Sequence, residues 1–181
     1  NGDVVAGGSF TIAGGQPASY IARWDGTAWS PLGTGLNGSV KKMLLLPNGD
    51  LVVAGVFTLA GGQPSTRSLA RWDGSTWSAF GAGVMSGYVY SLEPLAGGSF
   101  LAGGTFSSIG GVSASRVALW NGSTWSALGA GVSGAVFAIA ALPNGDVVAG
   151  GVTAGNSNLQ RWNGMAWTPF GEVQGGAALL L

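Results

Sequence analysis

Short apolar runs separated by glycine-rich polar stretches fill the whole chain, and no stretch keeps the three-to-four-residue spacing of a buried helix face. One run is Val4-Val5-Ala6-Gly7-Gly8-Ser9-Phe10, and its equivalents follow Asn48-Gly49-Asp50, Gly97-Gly98-Ser99 and Asn144-Gly145-Asp146. Asn-Gly favours positive φ at both centres of a two-residue hairpin, so each of these runs is expected to leave a tight β-turn. A polar, glycine-rich stretch such as 11–19 or 58–68 comes next, too long for a tight turn and too rich in Gly for a helix. A short strand from Tyr20 to Trp24 ends at Asp25-Gly26, again a hairpin signal, and the strand after it carries Trp29 and stops at Leu32-Gly33. A connection over 33–38 then leads to the most apolar run, Val40 to Leu46, with counterparts at Tyr88 to Leu95, Ala135 to Leu142 and Ala177 to Leu181. An apolar run bounded by turns predicts a strand buried on both faces, which suits the innermost strand of a sheet.

The pattern is a repeat. Ala22-Arg23-Trp24-Asp25-Gly26-Thr27-Ala28-Trp29-Ser30 returns around Trp72 and Trp77, around Trp120 and Trp125, and around Trp162 and Trp167. All eight tryptophans lie in these copies. Cutting at the Asn-Gly-Asp signal divides one domain, 1–181, into repeats 1–47, 48–96, 97–143 and 144–181. A period of about 40–50 residues with four strands is that of a propeller blade. The expectation is an all-β, four-bladed β-propeller cut so that Ala177–Leu181 completes the blade begun by Val4–Phe10. Four repeats either close alone or form half of an eight-bladed ring with a second copy, a homodimer.

Recurrence of the tryptophans in every copy favours packing between blades over stacking on sugars, since each buries roughly 150–250 Å². Arg23, Arg71 and Arg161 precede a Trp, and Leu119 takes that place in the third copy, so the position does not demand charge. A solvated or snorkelling side chain, or one lying on an aromatic of the next blade, is expected there.

Composition narrows the function. Only 8% of residues are charged, with a net charge of +0, and Lys41-Lys42 is the one adjacent basic pair, read as a solvated strand face. A phosphate-binding surface needs clustered cations, so nucleic acid is not an expected partner. The longest apolar run, 135–143, is far short of the ~20 residues of a membrane helix. The chain opens mid-pattern at Asn1 with no visible leader, as a processed protein or a piece of a longer repeat array would.

There is no Cys and no His, so the best thiol nucleophile and the commonest general base are missing, and Ser has no triad partner. Asp3, Asp50, Asp146, Asp25 and Asp73 sit in turn signals, which leaves Glu93 and Glu172 as the carboxylates outside them. No metal site, cofactor or catalytic residue is expected. Gly103-Gly104-Thr105-Phe106-Ser107-Ser108-Ile109-Gly110 lacks the Lys of a phosphate loop. Asn37-Gly38-Ser39 and Asn121-Gly122-Ser123 match a glycosylation acceptor but are also ordinary turns.

The paired small residues Gly7-Gly8, Ala54-Gly55, Gly103-Gly104 and Gly150-Gly151, followed by Trp24 and Trp29 and their equivalents, resemble kelch-type repeats of the galactose-oxidase superfamily. The wording Ala-Gly-Gly-Gln-Pro and Ala-Arg-Trp-Asp-Gly is also similar to repeats of large bacterial and fungal surface proteins. The resemblance implies a binding or scaffolding propeller, extracellular or at the cell surface. The copper oxidase activity of that superfamily needs Tyr and His ligands, so it does not carry over to this chain. A glycan-binding propeller is the alternative, and an enzyme with a site on the loop face is the second. In a propeller the connections from second to third strand and from fourth to first emerge on one face, where binding residues concentrate. The candidates are Gln16, Gln63, Arg67, Arg116 and Asn37, offering polar contacts to a neutral protein or glycan. The structural alternative is that these loops pack Ile12, Leu59 and Ile109 against neighbouring blades.

Overall fold

A computed structural model describes residues 2–152 and 159–171. It is built of strands, because β-branched and small apolar residues alternate between turn signals that force the chain back on itself. The first sheet holds β1 (Val4–Gly7), β4 (Ile21–Trp24) and β5 (Trp29–Pro31), with a ribbon of β2 (Ile12–Ala13) and β3 (Gln16–Pro17) between them. The second runs β6 (Ser39–Leu45), β7 (Leu51–Val56), β8 (Leu69–Trp72) and β9 (Trp77–Ala79) in that order. The third runs β10 (Val89–Pro94), β11 (Phe100–Gly104), β14 (Val117–Trp120) and β15 (Trp125–Ala127), with a ribbon of β12 (Ser108–Ile109) and β13 (Val112–Ser113). The fourth runs β16 (Ala135–Ala141), β17 (Val147–Val152), β18 (Leu159–Trp162) and β19 (Trp167–Pro169). Every neighbouring pair is antiparallel, and β10 touches both β6 and β16 along the inner side. The chain is an all-β propeller of four-stranded blades. Each blade draws its inner strand from the end of one sequence repeat and its other three from the next. In the first sheet only β1, β4 and β5 are described, and Ala177–Leu181, the strand expected to complete it, lies outside the described residues.

There is one core per sheet boundary. Val53 and Ala70 pack with Ile21 and Leu32 of the sheet before, while Val52 and Leu69 pack with Phe100 and Phe106 of the sheet after. In the third sheet Phe100 and Ala102 face back and Leu101 faces forward to Ile139 and Val147. This side-to-side alternation is the period of a strand. It buries β7 and β11 almost completely. The innermost strands differ from the expectation: Lys41, Lys42 and Leu45 of β6 and Phe137 of β16 are exposed. The second strand is flanked by strands on both edges and by blades on both faces, whereas the first, in β6, β10 and β16, has no strand on its inner edge among the described residues. That edge is also kinked. The register slips by one residue at Val40/Lys42, Val89/Ser91 and Val136/Ala138, so Lys41, Tyr90 and Phe137 are the extra residues of three matching β-bulges.

The tryptophans pack as the repeat predicts. Within each copy the two indoles lie tilted together, their centroids 5.2 Å apart for Trp72 and Trp77. Trp77 and Trp167 also reach across a blade boundary, each donating its indole N–H to the carbonyl of Leu32 or Leu128 of the previous blade, at 2.9 and 2.7 Å. The long second connections are compact: Ala13 pairs with Gln16 and Ile109 with Val112, each turning on two glycines.

Candidate functional site

The two ends of the sheets differ in chemistry. At the hairpin end, Asp25 Oδ1 accepts from the backbone N–H of Thr27 and Ala28 and from the Thr27 hydroxyl. Asp73 does the same with Ser75 and Thr76, and Asn121 and Asn163 stand in for the aspartates in the later copies. Led by the Ala28 N–H, these donors hold the Asp25 carboxyl at about 2, below its usual 3.8, and those around Asp73, led by the Thr76 N–H, push it lower still. A carboxyl depressed by folding contributes stability above its unfolded value and loses it as pH falls through the folded one. Acid destabilisation below the usual carboxylate range is therefore expected to shrink in an Asp25→Asn, Asp73→Asn double variant, with stability near neutral pH unchanged because Asn makes the same turn. Urea unfolding across acid pH checks this; identical acid limbs would refute it.

The same end holds the arginines. Arg71 lies 3.4 Å from Asp50 and Arg23 3.8 Å from Asp3, while Arg161 pairs with Asp146 through two guanidinium nitrogens. The side chain of Asn144, and next Arg161, lowers the pKa of Asp146. Among the described residues, Arg161 of the three also lies over an aromatic, Phe170 of its own sheet at 5.7 Å. The three side chains stay 38–50% exposed, as the solvated reading expects, and add carboxylate partners that it did not name. The repeats carried the signal. Three copies have both Asp and Arg, while the third has Ser99 and Leu119, losing both together. Below these pairs a cleft of about 220 Å³ opens between the second and third sheets, lined by Asp50, Arg71, Phe80 and Trp120. Its counterpart one boundary on, about 380 Å³, is apolar, with Leu101, Leu119, Leu128 and Trp162.

At the loop end, the five candidate residues divide into two groups. Asn37 is a staple: its Oδ1 accepts from the N–H of Thr58 and Leu59, at 2.8 and 2.9 Å, and its amide donates to the Thr58 hydroxyl. Arg116 donates to the Val132 carbonyl at 2.8 Å, tying one connection to the next from a left-handed φ of 70°. Tyr20 and Ser68 hold matching left-handed positions in the first and second sheets. Thr66, missed by the sequence reading, anchors its loop by accepting from Ala60 N–H and donating to the Gln63 carbonyl. Gln16 and Gln63 are exposed on the glycine turns. Arg67 lies over the Tyr88 ring at 5.6 Å, with its Nε buried and unbonded. Of the apolar loop residues, Ile109 is buried as the packing alternative requires, but Ile12 and Leu59 are 64% and 40% exposed. The loop face is thus held rigid by its own polar side chains and carries outward-facing glutamines and aliphatics.

No helix among the described residues is long and apolar enough to cross a membrane, and no group of three or more acidic side chains among them could hold a metal ion.

No curated protein matches the chain. Among solved structures, YCF48 bound to D1 peptide is similar at a TM-score of 0.46 and 18% identity. That match covers 82% of this chain and 46% of the other, so this chain spans under half the length of that one. The family model for the Rax2 C-terminal beta propeller domain matches residues 1–96, more than half of the sequence, and the chain belongs to that family.

Proposed function

We propose that this chain is a non-enzymatic binding or scaffolding propeller, a unit of a repeat-bearing surface protein, and that it meets its partner on the loop face. The observation that carries this reading is the stapling of that face by Asn37, Thr66 and Arg116. Binding loops fixed on a rigid scaffold lose little conformational freedom when a partner docks. The kelch-like character of the repeat, with its diglycines and paired tryptophans, fits the same role. A screen of glycans and surface proteins supplies the test. Gln16→Ala with Gln63→Ala, which leaves the staples untouched, is expected to weaken a true partner by about tenfold. Binding that survives this change, or that maps to the Asp25 and Asp73 hairpins, would overturn the reading. So would hydrolase or oxidase turnover lost on substitution of Glu93 or Glu172. Labelling of intact against permeabilised cells tests the surface location.

A second reading rests on the likeness of the repeats, which makes each blade boundary resemble the next. Two copies joined head to tail would then close an eight-bladed ring, exchanging the terminal strand between them. A light-scattering mass near twice the 17.9 kDa of one chain is expected, and a mass near 17.9 kDa would refute the pairing.

A further inference from the structure

A chain of zero net charge need not be neutral at both ends. The register places Asp3, Asp50, Asp73 and Asp146 beside the paired tryptophans at the hairpin end, with Asp25. Glu93, opposite Leu101, lies in the same half. Arg23, Arg71 and Arg161 are spent on carboxylates there. The remaining cations all lie in the loop half: Lys41 and Lys42 beside Gly55 and Ala54, Arg67 next to Ser68, and Arg116 before β14. No acidic side chain among the described residues accompanies them.

The three bulges sharpen this asymmetry. They occur at the same level of successive inner strands and bring Lys41, Tyr90 and Phe137 out of the alternation that buries their neighbours. Tyr90 meets Phe137 across a blade boundary at 5.2 Å and Tyr88 at 6.2 Å, and Arg67 lies over Tyr88. Phe137 remains 45% exposed although it has aromatic neighbours. Matching bulges in three blades that leave a cation and a phenyl ring exposed and a phenol half-buried are hard to explain by packing alone, since packing would select similar apolar residues. Bulges commonly re-aim side chains toward a site.

From this placement we infer that the inner, loop-end surface docks an acidic polypeptide segment, its carboxylates toward Lys41, Lys42 and Arg67 and its apolar side chains against Tyr90 and Phe137. Charge complementarity selects the sign of the partner. The rings favour a polypeptide over a sugar chain. Their planes are tilted 52° and 55° to one another, so they form an uneven apolar cluster rather than a row of parallel faces for stacked pyranose rings. The inner edges of β6, β10 and β16 pair with no further strand among the described residues; the Val40 and Val89 N–H groups are taken by the Gly8 carbonyl and the Ser68 hydroxyl, so side chains rather than strand pairing supply the recognition. This deepens the loop-face reading and rests on it, but it replaces the neutral partner expected from composition with an anionic one.

The test uses the whole chain and a fluorescein-labelled peptide alternating Glu with Leu and Phe, its Gln counterpart, and a sulfated oligosaccharide. The Glu peptide is expected to bind at low salt about tenfold or more tighter than the Gln peptide, an advantage that shrinks as salt rises. Lys41→Glu with Lys42→Glu, both exposed, is expected to erase the advantage. Phe137→Ser is expected to weaken both peptides by about tenfold. Equal affinity for the two peptides, a preference untouched by the lysine changes, or binding of the sulfated oligosaccharide alone would overturn the inference. If a neutral partner binds through Gln16 and Gln63 while the Glu peptide does not bind, the loop-face reading stands and this inference falls.

Discussion

Trp77→Ala is expected to destabilise the protein by about 3–5 kcal/mol, the range for removing a large buried aromatic. The residue is 5% exposed, packs on Trp72, and bridges the first two sheets through its N–H bond to the Leu32 carbonyl. Gly61, at a left-handed φ of 59°, lies so close to the indole that a Cβ there would collide with it. The substitution therefore opens a cavity at a blade boundary and strands a carbonyl at once. Two comparisons isolate these effects. Trp29 holds the same position in the first sheet but is only partly buried, so Trp29→Ala is expected to cost distinctly less. Trp125 is equally buried, at 7%, yet its indole nitrogen has no acceptor, so Trp125→Phe is expected to be milder than Trp77→Phe. Urea unfolding of the set checks the order. Equal costs for Trp29→Ala and Trp77→Ala would show that packing between blades is not what these residues supply.

Gly104→Ala is expected to cost about 3 kcal/mol or more, at the upper end for a small-to-large change in a packed interior. The reason is not backbone conformation, since this glycine has an ordinary φ. A Cβ would sit on the Tyr88 carbonyl oxygen, just before the β10 bulge, and main chain cannot move aside as a side-chain tip can. Gly55 and Gly151 meet the carbonyls of Ser39 and Ala135 in the same way. The second residue of the diglycine is thus small because the bulged inner strand presses against it. Gly122→Ala is the control. Its φ is 100° but the space beside it is open, so only the left-handed penalty of about 1–2 kcal/mol applies. Thermal unfolding separates the two, and a Gly104→Ala variant no weaker than Gly122→Ala would refute the account.

Much of this architecture could be read before any coordinate. Turn dipeptides, alternation and the spacing of paired tryptophans are local signals, governed by φ preferences and strand pleat, and they survive in whatever surroundings the strand meets. They were enough for the strands, the repeat, the propeller and the packing role of Trp77 and Trp125. Other features depended on tertiary structure because they join residues that the local pattern treats separately. Arg71 and Asp50 belong to different turn signals, and only the β7–β8 register brings them together. The most apolar run proved less buried than β7, since burial follows from how many neighbours surround a strand, not from its hydropathy. The inner surface was the least legible part. One inserted residue reverses the alternation on which sequence reading relies, and nothing in the wording around Lys41, Tyr90 and Phe137 marks the insertion. Where the cations gather is likewise a property of the folded register, because a strand that runs up and its partner that runs down carry neighbouring sequence to opposite ends.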